Sequence, residues 1–173
     1  MTEETVYKNK WFKVLKKGKW HYIVEKNSNN GAVILILEDN KNFLFVKNYR
    51  QAINSTLIEL PRGYGNKNEQ SINTAKREAL EETGYQIDSL NIMKLGSIYP
   101  NSAILSSKID IFFAQVTPLD KIQDSDSEVI EIVKLSHQEI SKYINQNKIQ
   151  DAFSLSALSM YYTKIYNTFS YDE

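Results

Sequence analysis

Residues 63–85 read GYGNKNEQSINTAKREALEETGY, and this stretch decides the reading of the whole chain. It holds Glu69, Glu78, Glu81 and Glu82 with a single arginine, Arg77, between Gly63 near its start and Gly84 near its end. Ile72, Ala75, Ala79 and Leu80 recur at helical spacing, so the centre is predicted as an amphipathic helix with those four toward the core. Ser71 or Asn73 is expected to cap it, and Gly84 to end it as the C′ residue. Residues four apart share a helix face, which stacks Glu78 on Glu82 with Glu81 beside them. Like charges at that spacing cost an isolated helix roughly a few tenths of a kcal/mol. The C-terminal end of the helix dipole is already negative, so a helix built for stability alone would carry lysine there. A hard divalent cation resolves the conflict. Mg2+ takes oxygen ligands, accepts only a few carboxylates, and completes its shell with water and substrate phosphates. With no cysteine and two histidines in the chain, Zn2+ is a poor second choice. The competing reading of the spacing by itself is a solvated acidic helix face.

Outward from the helix, the upstream half is rich in strand signals. WFKVLKKGKWHYIVEK (11–26) reads as two short strands turning near Lys17-Gly18, and Asn27 to Gly31 as a turn cluster. AVILILED (32–39) and NFLFVKNYR (42–50) read as a hairpin joined at Asn40-Lys41. TLIELPRG (56–63) is a short strand stopped by Pro61 and Gly63. Downstream, residues 90–99, 108–116 and 129–135 are strand-like, the first broken by Gly96, and Pro118 to Ser127 is a polar loop. Ser136 with Glu139 makes a capping box for one helix, and Asp151 is expected to cap a last one. Leu155, Leu158 and Tyr162 are expected in the core, and His137 at the surface near a helix start. The order of elements points to an α+β or α/β/α sandwich on one core.

The 173 residues fit one domain with a sizeable core. Lys and Arg number 21, as do Asp and Glu, a balance that argues against a dedicated nucleic-acid binder. The absence of cysteine excludes disulfides and thiolate metal sites and fits a reducing compartment. The first residues lack an apolar run, so no signal peptide is read there. The longest apolar stretches are too short to span a bilayer. The expectation is a soluble, cytoplasmic protein with no membrane and no nucleic-acid partner.

The spacing Gly63, Glu69, Arg77-Glu78, Glu81-Glu82, Gly84 resembles the Nudix box, G-x5-E-x7-R-E-U-x-E-E-x-G-U, at every Gly, Glu and Arg position. The two usually bulky positions hold Ala79, small for the family, and Tyr85. The resemblance implies a Nudix α/β/α sandwich with a mixed sheet over residues 31–173 and a short N-terminal β segment over 1–30. It implies hydrolysis of a nucleoside diphosphate linked to another group, X, with Mg2+ as cofactor and Mn2+ as a substitute. Carried over, Glu78 and Glu82 are the main metal ligands, and Glu81 is a third ligand or a helper of the base. Glu69 pairs with the box arginine or reaches a metal through water. Arg77 holds the acids in place, and the Arg62 carbonyl is a backbone metal ligand. Gly63 and Gly65 let the loop backbone come close to the metal and phosphates.

The flanks extend the likeness. VKNYRQAINSTLIELPRG (46–63) resembles the segment before the box in ADP-ribose and nucleoside diphosphate sugar pyrophosphatases. It implies that Arg50 contacts a substrate phosphate and that Glu59 binds a metal-bound water or the terminal ribose. YPNSAILSSKIDIFFA (99–114) departs from the subfamily, because Ser107 stands where a catalytic glutamate is aligned. The base then falls to Glu128 or Glu81. The resemblance also implies a homodimer built through the N-terminal strands. Trp20 and Tyr22, which alternate with His21 and so share a face, would offer the substrate base a stacking surface, with Trp11 another candidate. The expected reaction splits ADP-ribose or a related nucleotide sugar into a nucleoside monophosphate and a sugar phosphate. Other diphosphates, such as dinucleoside polyphosphates or GDP-mannose, stay open, as does a nucleotide-binding module that does not cleave.

Overall fold

A computed structural model describes residues 2–166. Its first strands end where the turn residues stand. Gly18, with φ 61°, turns β2 (Phe12–Lys17) into β3 (Trp20–Glu25), and β1 (Glu3–Lys8) adds a further strand to make a separate antiparallel sheet in the order β1-β2-β3. Asp39 and Asn40 take φ 49° and 54°, the left-handed turn conformation that Asn and Asp tolerate. They join β4 (Gly31–Glu38) to β5 (Asn42–Arg50).

That hairpin does not stay paired. β4 and β5 are matched only over Ile36–Glu38 and Asn42–Leu44. Beyond that, β5 pairs with β6 (Ser55–Glu59) while β4 pairs with β7 (Arg62–Gly63). The chain therefore bridges the two diverging strands at Leu60-Pro61. The sequence placed the end of a strand here; instead the strand changes partner at Pro61, the residue that has no N–H to give a ladder. Its carbonyl still accepts from the Ile34 N–H at 3.0 Å. β9 (Ile109–Val116) runs parallel to β4, and β8 (Ile92–Ile98) and β10 (Glu131–Leu135) close the mixed sheet in the order β10-β5-β4-β9-β8.

β4 is buried along its whole length, and its period of two feeds two cores. Ala32, Ile34 and Ile36 face α1 (Ser71–Thr83) together with Leu44, Phe112 and Ala114; Ala75 and Ala79 meet them from the helix. Val33, Leu35 and Leu37 face the other side with Phe43, Phe45, Ile140, Leu158 and Tyr161. There α2 (His137–Asn145) and α3 (Ala152–Tyr161) complete an α/β/α sandwich. Ala79, small for its place, lies fully buried against this tight helix–sheet contact.

The helix ends follow the sequence with one exception. Gly84 takes φ 78° and donates its N–H to the Leu80 carbonyl at 2.9 Å. An added Cβ there would collide with the Gln123 carbonyl. The Ser136–Glu139 capping box forms, and Asp151 accepts from the Ser154 N–H at 2.9 Å. At the start of α1, however, Gln70 is the cap residue, without a side-chain cap. Ser71 instead donates to Asp110 on β9 at 2.7 Å, a tertiary bond that outcompetes the local one. Leu155 lies on the exposed side of α3, and Leu80 is half-buried outside the main clusters. His137 is not a plain surface residue: it is half-buried against the rings of Phe43, Tyr161 and Tyr162. Among the described residues, no helix is long and apolar enough to cross a membrane.

Candidate active site

The box forms a loop, helix and loop at the edge where β7 meets β4. Arg77 projects from α1 into the acids around it. Its Nη1 lies 2.7 Å from both Glu78 and Glu81, and its Nε lies 3.4 Å from Glu69. Nη2 donates to the Tyr64 carbonyl at 2.9 Å, so one guanidinium ties three carboxylates to the box loop. Burial works against the Arg77 charge, but Glu78, Glu81 and Glu69 outweigh it and raise its pKa further. Glu69 also accepts from the Asn66 N–H at 2.6 Å. Burial opposes its charge, yet this bond and Arg77 hold it below the usual carboxylate range.

Glu78 and Glu82 point inward, toward β7. Each is 8% exposed. Gly63 is what admits Glu78: a Cβ on that residue would occupy the space of the Glu78 carboxylate. Glu82 accepts from the Arg62 N–H at 3.2 Å. Burial, then the charge of Glu78, pushes the Glu82 carboxyl up to about 8. Burial raises Glu78 too, in part offset by Arg77. Of the two, Glu78 has Arg77 at 2.7 Å, while among the described residues Glu82 has no ion-pair partner. The donors are all oxygen, and neither histidine is near: His21 is exposed on β3 and His137 sits in its aromatic cluster. This set fits a hard divalent cation better than Zn2+. Among the described residues, no three acidic or histidine side chains already converge as a finished metal cage; Glu69, Glu78 and Glu81 are all turned onto Arg77.

Beside the acids opens a cavity of about 250 Å³ lined by Arg50, Arg62, Gly63, Tyr64, Ile109 and Phe153, together with Ala32 and Val33. Glu59 organises it. This residue is fully buried, and its two oxygens are divided between Arg50 and Arg62, the latter at 3.1 Å. Glu59 was expected to meet a ribose or a metal-bound water; here it has no exposed surface and holds two guanidiniums. Arg62 is also stacked on Phe153, 4.5 Å from the ring centroid. Phe153 is placed by α3, whose first turn is latched to β6–β7 through Ser154. That hydroxyl accepts from the Leu60 N–H at 2.8 Å and donates to Asp151 at 2.8 Å.

Ser107 is fully buried and donates to Glu25 on β3 at 2.6 Å; the Tyr64 hydroxyl donates to the same oxygen at 2.6 Å. A carboxylate thus does stand at Ser107, supplied by the N-terminal sheet, which also bonds to the 104–106 loop through Ile23. Glu128 is exposed in the loop after β9, whose Asp126 N–H donates to the Glu81 carbonyl at 2.7 Å. Trp20 and Tyr22 do not reach the arginine cavity. They line a different groove with Ser102, Ala103, Leu105 and Ser106. Trp11 is exposed in yet another groove, lined by the β1–β2 connection, the start of β2 and the end of β3. The Arg62 side chain, Tyr64, Glu25 and Phe153 were not among the expected site residues. Arg62 stood in plain view inside ELPRG, but only its carbonyl was read; Phe153 carries no local signal.

A fold and a site of this kind define a hydrolase class, and the comparisons agree. The NUDIX domain model matches residues 28–154. The chain belongs to the Nudix family, and it is a Nudix pyrophosphohydrolase. It is 27% identical to the ADP-ribose pyrophosphatase of Bacillus subtilis (strain 168) over 74% of this chain and 70% of the relative. It is 30% identical to the GDP-mannose pyrophosphatase of Yersinia enterocolitica over 75% of this chain and 71% of the relative. A solved structure of an ADP compounds hydrolase shares the fold with a TM-score of 0.73 at 19% identity, over 97% of this chain and 94% of that one.

Proposed function

We propose that the protein hydrolyses the diphosphate bond of ADP-ribose or a related nucleoside diphosphate sugar, using Mg2+ or, as a substitute, Mn2+, and releases a nucleoside monophosphate and a sugar phosphate. The observation that carries this reading is the buried Glu78–Glu82 pair, admitted by Gly63, beside a cavity lined by two arginines. Glu78 and Glu82, with the Arg62 carbonyl, would hold the metal, and Glu69 and Glu81 stand behind them on Arg77. When bound, such a metal neutralises phosphate oxygens and lowers the pKa of a coordinated water. Arg77 keeps the acids from repelling one another apart. Arg50 takes a phosphate oxygen with its fork. Of the two candidates for the base, Glu81 is favoured, because it stands on the same helix turn as the ligands while Glu128 lies on an exposed loop.

The N-terminal segment, residues 1–30, serves in this proposal as the dimerisation element. Its Trp20 and Tyr22 would stack on the base of a substrate held across the two-fold, since within one chain they line a groove other than the arginine cavity. The proposed setting is cytoplasmic. GDP-mannose is the second substrate reading, favoured by the likeness to the Yersinia enzyme.

The test incubates the wild type and Glu82→Gln with ADP-ribose or GDP-mannose in Mg2+ and separates the products. AMP with ribose 5-phosphate, or GMP with mannose 1-phosphate, from the wild type alone supports the reading and names the substrate. No product from either compound would sink it.

A further inference from the structure

Between Lys8 and Lys26 the chain carries seven lysines and one acid, Glu25. Lysine is the ordinary partner of a surface acid. Among the described residues Glu25 takes none of them; one of its oxygens accepts instead from two neutral hydroxyls, Ser107 and Tyr64, each at 2.6 Å. Strand register brings it there. The Ile23 N–H donates to the Ile104 carbonyl at 2.7 Å and the Ser106 N–H to the Ile23 carbonyl at 3.0 Å, so Ile23 faces Leu105 in a parallel bridge. Two residues on along both segments, Glu25 meets Ser107.

Tyr64 is what this carboxylate holds in the site. It stands between Gly63 and Gly65 in the box loop, lines the cavity beside the acids, and is 41% exposed. Its two polar ends are tied to different parts of the molecule. The carbonyl accepts from Arg77 at 2.9 Å, and the hydroxyl donates to Glu25. The segment that leaves β3 also lies against the loop. A Cβ on Gly31 would come within 3.1 Å of the Tyr64 ring, and one on Gly65 within 2.6 Å of Asn30. The box loop is thus bedded between α1 and residues 25–31. A partly exposed ring tied at both ends is a fixed wall. Released at its hydroxyl, it is free to change rotamer.

Resting on the hydrolase reading above, we propose that Glu25 is a positioning residue for the site. It fixes Tyr64 as a wall of the cavity, so that the N-terminal sheet sets how well the ground-state substrate is held and leaves the chemical step to the box. Ser107 braces the same oxygen and keeps the carboxylate turned toward the loop.

The test measures KM and kcat in Mg2+ with ADP-ribose and with GDP-mannose for the wild type, Tyr64→Phe, Glu25→Ala, Glu25→Gln and the double variant Glu25→Ala/Tyr64→Phe. Loss of ground-state holding raises KM and leaves kcat alone. Tyr64→Phe is expected to raise KM about fivefold, the scale of one net hydrogen bond, with kcat within about twofold. Glu25→Ala should do at least as much. Glu25→Gln, whose amide oxygen still accepts from the hydroxyl, should recover most of the loss. The double variant should be no worse than Glu25→Ala, because both changes act through one bond. Tyr64→Phe removes a single oxygen from a partly exposed ring, so it gives an answer even where thermal melts show that Glu25→Ala has unfolded. A wild-type KM in folded Tyr64→Phe, a fall in kcat in place of a rise in KM, or effects that add in the double variant overturns the proposal while the hydrolase reading stands. A wild type that turns over neither compound sinks that reading and takes this proposal with it.

Discussion

Two charge knots lie on either side of β7, and they are built in opposite senses. In one, Arg77 gathers Glu69, Glu78 and Glu81. In the other, Glu59 gathers Arg50 and Arg62. The acid knot is assembled mostly within one helix, where spacing alone brings the partners together. The arginine knot spans β5, β6 and β7, and its members meet only because the β4–β5 hairpin splits and the chain crosses at Pro61. The hub differs too: Arg77 is partly exposed, and Glu59 has no exposure at all. An exposed hub can rearrange around a ligand, whereas a buried hub sets a fixed wall. The acid knot thus has room to rearrange, and the arginine knot is held in place.

The sharpest way to break this comparison is at Glu82, on the acid side. Glu82→Gln should lower kcat by about 10²–10³-fold, the scale of one lost charge-stabilising group. The melting temperature of the metal-free protein should hold or rise, since a buried acid pushed up to about 8 is removed. A large loss of stability would show that Glu82 is structural. On the arginine side the order reverses. Glu59→Ala leaves two guanidiniums without their shared counter-ion and should cost about 3 kcal/mol in denaturant melts. If stability is unchanged, Glu59 is not the hub.

A smaller effect separates position from charge. Arg77→Lys keeps the charge but cannot reach three carboxylates and the Tyr64 carbonyl at once. Activity should fall about tenfold, with a loss of roughly 1 kcal/mol of stability. An unchanged rate would mean that the acids hold themselves. The smallest effect is at a third knot, where the last residue of the box meets β4 and β10. Lys134 donates to Glu38 at 2.6 Å and 2.7 Å, and the Tyr85 hydroxyl joins them. Burial opposes the Glu38 charge, but Lys134 and Tyr85 outweigh it and lower its pKa. Its stabilising contribution is therefore full above the ordinary carboxylate range and is lost as pH falls through that range toward the lowered value. In Glu38→Gln the acid limb of the stability-against-pH curve should be shallower, with no change in the activity profile.

Much of this was legible in one dimension. The box spacing, Gly84 with its positive φ, the Ser136–Glu139 cap, the Asp151 cap and the alternation in β4 are all local patterns with a local cause. The failures share a cause as well. Ser71 or Asn73 was read as the helix cap, because nothing near Ser71 in sequence announces Asp110. The burial of Glu59 was not foreseen, because a strand-end acid shows no sign of how deep it will lie. His137 was read as exposed because its partners, Phe43 and Tyr161, are far along the chain.

The sequence by itself determined which groups bear charge and how they repeat along α1, because helical spacing converts one dimension into a face. It determined the Nudix box, and with it the oxygen-rich character of the site. The tertiary structure alone decided what those charges face. The split hairpin set Arg50 and Arg62 on one buried glutamate, α3 brought Phe153 under Arg62, and β3 carried Glu25 to Ser107 and Tyr64. Those meetings depend on strand register and layer packing over tens of residues, and no local propensity encodes them.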